Sequence, residues 1–90
     1  FGVGNSMNET PEINKGYLLI SHKGHYHYAV EYVRNNKVGL FWVHRKSGET
    51  SRLYRYRREI NMDRAAVDYD VVPPENVNWN DYSNIDEYGL

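Results

Sequence analysis

The chain has 90 residues, of which 26% are charged, with a formal net charge of −1 and no cysteine. This length suits one domain, and the missing cysteine excludes disulfides, thiolate metal sites and a cysteine nucleophile within it. No apolar run approaches the ~18 residues that span a bilayer as a helix, so no membrane span is expected, and the cysteine-free composition favours a reducing, cytoplasmic setting.

Charge is divided along the chain. Residues 1–58 hold ten of the eleven basic residues against four acids, whereas residues 59–90 hold eight acids and the single base Arg64. The halves are therefore +6 and −7. Such asymmetry points to an electrostatic partner for one half, or to the two halves facing each other.

Residues 1–16 lack periodicity and read as a flexible arm. Residues 17–22, Tyr-Leu-Leu-Ile-Ser-His, form a short strand signal, and Lys23-Gly24 a turn. Residues 25–34 alternate, with Tyr26, Tyr28, Val30 and Tyr32 on one face and His25, His27, Ala29 and Glu31 on the other, as in a half-buried strand. Asn35-Asn36-Lys37 follows, and asparagine tolerates the left-handed backbone of hairpin turns. Residues 38–45 are apolar on both faces, which suits a central strand covered on both sides. Gly48 marks the next turn. Residues 50–58 read as a fourth strand with Tyr54 and Tyr56 on one face and Arg55 and Arg57 on the other.

The stretch 59–72 carries both helical and strand patterns. The expectation is a short helical turn near 61–66 and a fifth strand over 66–72, stopped by Pro73-Pro74. Residues 73–90 form an acidic tail. Its Trp79, Tyr82, Ile85 and Tyr88 are too apolar for a plain linker and suggest docking on the chain's own sheet or on a partner. The fold expected is mainly β, with α+β as the alternative: a four- to five-stranded antiparallel meander sheet or a small barrel over residues 17–72, with one short helix and flexible termini.

The leading functional candidate is the arginine–tyrosine strand. Arg52, Tyr54, Arg55, Tyr56, Arg57 and Arg58, with Lys46 nearby, combine residue types enriched at protein interfaces. Trp79, Tyr82 and Tyr88 of the tail are a second partner-binding set. A non-catalytic module binding a protein partner is therefore expected, without a cofactor. Small tyrosine-rich chains of this kind occur among viral and mobile-element factors. The same strip suits single-stranded nucleic acid, since arginine grips phosphate and exposed tyrosine stacks on bases. In that reading the acidic tail competes for the strip. A third reading keeps the rings of Tyr54 and Tyr56 in the core and pairs Arg55 and Arg57 with the acids of 59–90. An unpaired edge strand would also permit a homodimer.

The histidines offer a metal alternative. His25 and His27, two apart on a strand, would share a face, and His44 could add a third ligand. The run His27-Tyr28-Ala29-Val30, entered from a strand after Gly16 and followed by His44, resembles the histidine box of the LRAT-like and NlpC-like branches of the papain-like enzymes. That resemblance covers about a third of the chain. Without a cysteine for His27 to activate, it implies an inactive relative.

Overall fold

A computed structural model describes residues 12–46 and 57–83. In chain order these form β1 (Leu18–Ser21), β2 (His27–Arg34), β3 (Lys37–Trp42), β4 (Arg57–Asn61), helix α1 (Met62–Asp68) and β5 (Tyr69–Val72), followed by two short 3-10 turns, Pro74–Asn76 and Trp79–Asp81. The strands make one antiparallel sheet in the order β4-β3-β2-β1-β5. The expected meander is present. The barrel alternative is not: among the described residues β4 pairs only with β3, and β5 only with β1. The chain between these two edge strands forms α1, which packs on β3, β4 and β5 in place of a closing ladder.

Local chemistry explains the hairpins. Asn35 and Asn36 take φ values of 50° and 63°, the paired left-handed geometry whose twist matches a two-residue hairpin. They register Arg34 against Lys37. Between β1 and β2 the chain turns through Gly24 at φ 92° and His25 at φ 55°. The expected alternation over 25–34 therefore holds only from His27, where β2 begins, to Val30. A bulge between Val30 and Tyr32 shifts the register against β3. Extra twist at such a bulge helps a small sheet curl around its own core.

Both faces of the sheet are buried. One carries Leu19, Tyr28, Val30, Val38, Leu40 and Tyr69, covered by Ala65 of α1 and by Ile13. The other carries Leu18, Ala29, Phe41 and Val43, covered by Tyr82 with Val77 and Trp79. Strand β3 sits between β2 and β4, and Val38, Leu40 and Phe41 are wholly buried. The two-sided apolar pattern of 38–45 has this physical cause.

The later elements differ from expectation at their ends. β4 runs Arg57–Asn61, past the expected end at residue 58, because Ile60 pairs with Val38 and extends the apolar face. Residues 50–56 of the expected fourth strand lie outside the described residues. The helix extends to Asp68, and β5 is correspondingly short. Ala65 of this helix is buried against the sheet. An Arg64–Asp68 ion pair at i,i+4 spans the last turn.

Gly39 of β3 has a specific duty. The Tyr32 ring crosses directly above it, and a Cβ there would overlap ring carbons. The tyrosine thus reaches from β2 across β3 to β4, where its hydroxyl donates to Glu59 Oε2 at 2.6 Å. That bond pushes the Tyr32 phenol above its ordinary pKa, and the Arg34 guanidinium lies 4.4 Å from the ring centroid. Gly39→Val should therefore destabilise the fold by about 1–3 kcal/mol, measured by urea denaturation. Adding Tyr32→Ala should recover part of that loss, because the overlapping ring is gone.

Candidate functional site

The sequence-derived binding residues fall in different places. Arg52, Tyr54, Arg55, Tyr56 and Tyr88 lie outside the described residues. Arg57 is committed locally: its Nε donates to both oxygens of Glu31, at 2.9 and 3.0 Å, and its guanidinium lies 4.7 Å from the centroid of the Phe41 ring. That partner is an acid of the first half of the chain. Arg58 is exposed on β4 and borders a cleft described below. Lys46 is exposed, and its backbone N–H donates to Asp81 O at 2.6 Å.

The tail residues stand on the chain's own sheet. Tyr82 is 6% exposed and belongs to the second apolar cluster, with the Trp79 ring 6.0 Å from its own. Arg45 and Tyr82 form an isolated bridge, and Ser83 N–H donates to His44 O at 2.8 Å. The segment around Tyr82 is thereby stitched alongside the chain that leaves β3.

The histidines do not converge. His25 sits exposed in the turn before β2, so its positive φ breaks the two-residue spacing that would align it with His27. His44 is buried, with its ring 4.5 Å from that of Trp42. Among the described residues no group of three or more His, Cys, Asp or Glu could hold a metal ion.

His27 has a different role. Its Nδ1 lies 2.7 Å from the Tyr82 hydroxyl. Burial, then the positive charge of Arg45, then His25 hold its pKa below the ordinary 6.5. Burial pushes the Tyr82 phenol up, so its O–H stays protonated beside the imidazole. Because the folded ring releases its proton more readily than the unfolded one, the unfolded chain binds more protons below pH 6.5. Stability consequently rises with pH through that window and falls as pH drops.

A cleft of about 420 Å³ opens at one end of the sheet. Three tyrosines line it: Tyr26 and Tyr28 from the β1–β2 hairpin and Tyr69 from β5. Tyr28 and Tyr69 are buried and meet edge to face at 6.0 Å. Tyr26 is 51% exposed at the mouth, and its ring stands edge-on to Trp42 at 5.8 Å. Its placement follows from the turn. Ser21 Oγ accepts the Tyr26 N–H at 2.9 Å and donates to Lys23 O at 3.0 Å. A Cβ on Gly24 would come within 2.7 Å of the Tyr26 ring, so glycine there admits the ring. Lys23 and Arg58 supply positive charge to the rim, while Asp68 is held by Arg64 and His22 is bonded to Asp70 at 2.9 Å. Tyr26, Tyr28, Tyr69 and Lys23 were not among the expected binding residues. The alternation that put Tyr26 and Tyr28 on one face was a signal for those two residues and carried none for Tyr69 or Lys23.

No protein-family model matches the chain, and no curated protein or solved structure matches it. The resemblance to the papain-like histidine box therefore rests on the residue pattern alone, and His27 is engaged with a tyrosine of the tail. Among the described residues no helix is long and apolar enough to cross a membrane.

Lowering the pH from 7.5 to 5.5 should lower the unfolding free energy, and His27→Asn should remove part of that slope. Tyr82→Phe at pH 7.5 should cost about 0.5–1.5 kcal/mol through the lost hydrogen bond. Denaturant titrations at each pH measure both effects.

Proposed function

We propose that the chain is a non-catalytic binding module that engages a protein partner through the tyrosine-lined cleft. The observation that carries this reading is Tyr26: a large ring, half exposed, yet held in place by the Gly24 turn and the edge of Trp42. Aromatic rings that are fixed before binding lose little entropy when a partner covers them. Tyrosine and arginine are the residue types that concentrate binding energy at protein interfaces, and here Tyr26, Tyr28 and Tyr69 share one cleft with Arg58.

Of the basic strip read from the sequence, Arg58 is the described member that borders this cleft, and Arg57 faces Glu31 instead. The local pairing of Arg57 lowers the positive field that a nucleic-acid backbone would need, which favours a protein partner.

A random 12-residue peptide library displayed on phage and panned against the full chain tests the reading. Recovered peptides should lose about 1–2 kcal/mol of binding to Tyr26→Ala, while that variant keeps its stability to within about 0.5 kcal/mol because the ring is largely surface. Peptides indifferent to Tyr26→Ala would overturn it. Tight, steeply salt-dependent binding of single-stranded RNA, lost in the same variant, would assign the cleft to nucleic acid.

A further inference from the structure

We infer that the open edge of β5 is a second docking surface, at which an extended, lysine- or arginine-bearing segment of another protein adds to the sheet as a further strand. This goes beyond the cleft reading and does not depend on it.

Strand β5 is laddered to β1 on one side, and among the described residues no strand occupies its other side. The register fixes which groups face that open side. In an antiparallel ladder, hydrogen-bonded residue pairs alternate with non-bonded ones. His22 N–H donates to Asp68 O at 2.9 Å, so the bonded pairs that follow are Ile20 with Asp70 and Leu18 with Val72. Val71 lies between them, and its N–H and C=O therefore turn away from β1. Neither has a hydrogen-bond partner among the described residues. A donor and an acceptor on one edge residue are what an added strand pairs with. Apolar surface accompanies them. Val67, two positions before the strand, is 59% exposed, and Val71 and Val72 are only partly buried.

Charge along this edge selects the occupant. A groove of about 570 Å³ runs beside Tyr69, Asp70 and Val71, and Glu12 and Glu75 line it with them. No lysine or arginine lines it, and its one histidine, His22, is bonded to Asp70 at 2.9 Å. The Asp70 side chain nevertheless stays 72% exposed. Glu12 accepts from the neutral Asn14 amide at 3.1 Å, and neither Glu12 nor Glu75 forms an ion pair among the described residues. The groove is therefore acidic without an internal counter-charge.

That charge argues against the chain as its own occupant. A second copy of this edge would set Glu12, Asp70 and Glu75 against themselves. Residues 1–11 and 84–90 contain acids and no lysine or arginine. The basic stretch 47–56 starts after Lys46 and ends at β4, on the opposite edge of the sheet. A basic strand from another protein supplies both missing elements, the backbone groups for Val71 and the cations for the groove.

A capped peptide of about six residues, alternating lysine and valine, is the probe. Fluorescence anisotropy measures its binding to the full chain, and NMR amide exchange locates it. The Val71 amide, open in the free chain, should exchange at least about tenfold more slowly at saturating peptide. The same peptide with glutamate for lysine should not bind. The double variant Glu12→Lys, Glu75→Lys should weaken binding about tenfold, the scale of two exposed ion pairs turned repulsive. Both positions are exposed, and far-UV circular dichroism verifies that the variant folds. Tyr26→Ala should leave binding unchanged. Absence of binding at about 1 mM peptide would overturn the proposal, as would binding that leaves Val71 exchange unaltered. Loss of binding in Tyr26→Ala would seat the peptide in the tyrosine cleft instead. A chain that sediments as a dimer with its Val71 amide already protected would assign the edge to a second copy, and would also overturn it.

Discussion

The fold depends on Tyr82 lying across the outer face of the sheet. A single sheet has two faces, and a 90-residue chain has few elements with which to cover them. The inner face is closed by curl and by α1, through Ala65 and Met62. Among the described residues no α-helix covers the outer face. Leu18, Ala29, Phe41 and Val43 would stand in water there without Val77, Trp79 and Tyr82. The tail segment around Tyr82 is thus a structural layer of the domain. The bond from its hydroxyl to His27 ties that layer to β2 at a polar point, while the ring buries apolar surface beside it.

Among the described residues, ion pairs form within each half of the chain as well as between the halves. Arg57 meets Glu31, both from the basic half, and Arg64 meets Asp68, both from the acidic half. The fold holds each pair together: Arg57 on β4 and Glu31 on β2 flank β3, and Arg64 and Asp68 are one helical turn apart, so the folded backbone already holds both partners near each other. The halves also meet: β1 is laddered to β5, His22 is bonded to Asp70 and His27 to Tyr82, and around residues 44–46 and 81–83 the hydrogen bonds run from backbone N–H to carbonyl and from the Ser83 hydroxyl to His44 O. Net charge over a long window says little about which residues touch. It describes the field, and contacts follow from topology.

Much of the architecture was legible because its causes are local. Asn35-Asn36 can take the paired left-handed turn that few other dipeptides reach cheaply, and the hairpin follows. The two-sided apolar run ending near Arg45 reads as a central strand because only a strand covered on both faces needs it. The illegible parts have non-local causes. Gly39 looks like a weak point in a strand until Tyr32, seven residues earlier, is seen to lie over it. Ala65, Val67, Tyr69 and Val71 alternate as a strand would, yet the helix runs on through Val67 to Asp68 and β5 begins only at Tyr69. The histidine pair fails for a reason just beyond its ends: Gly24 and His25 turn the chain through positive φ, so His25 never joins the strand that carries His27. The cleft was hidden in the same way, because Tyr69 reaches Tyr28 only through the crossover from one sheet edge to the other.

The abundance of tyrosine follows from these demands. A wholly apolar ring suits only the fully enclosed position of Phe41. Tyr26, Tyr32 and Tyr82 instead sit where apolar packing ends and solvent or a polar group begins. Tyr32 bridges three strands because its hydroxyl can finish on Glu59, and Tyr82 seals the outer face because its hydroxyl can finish on His27. A phenylalanine in either place would pack as well and leave the polar neighbour unmatched. At the cleft, Tyr28 and Tyr69 form a rigid floor and Tyr26 stands exposed above it. The same residue type therefore serves core and surface within a few ångströms. A small domain can in this way present a shaped aromatic face without exposing the broad, purely apolar patch that would drive indiscriminate association.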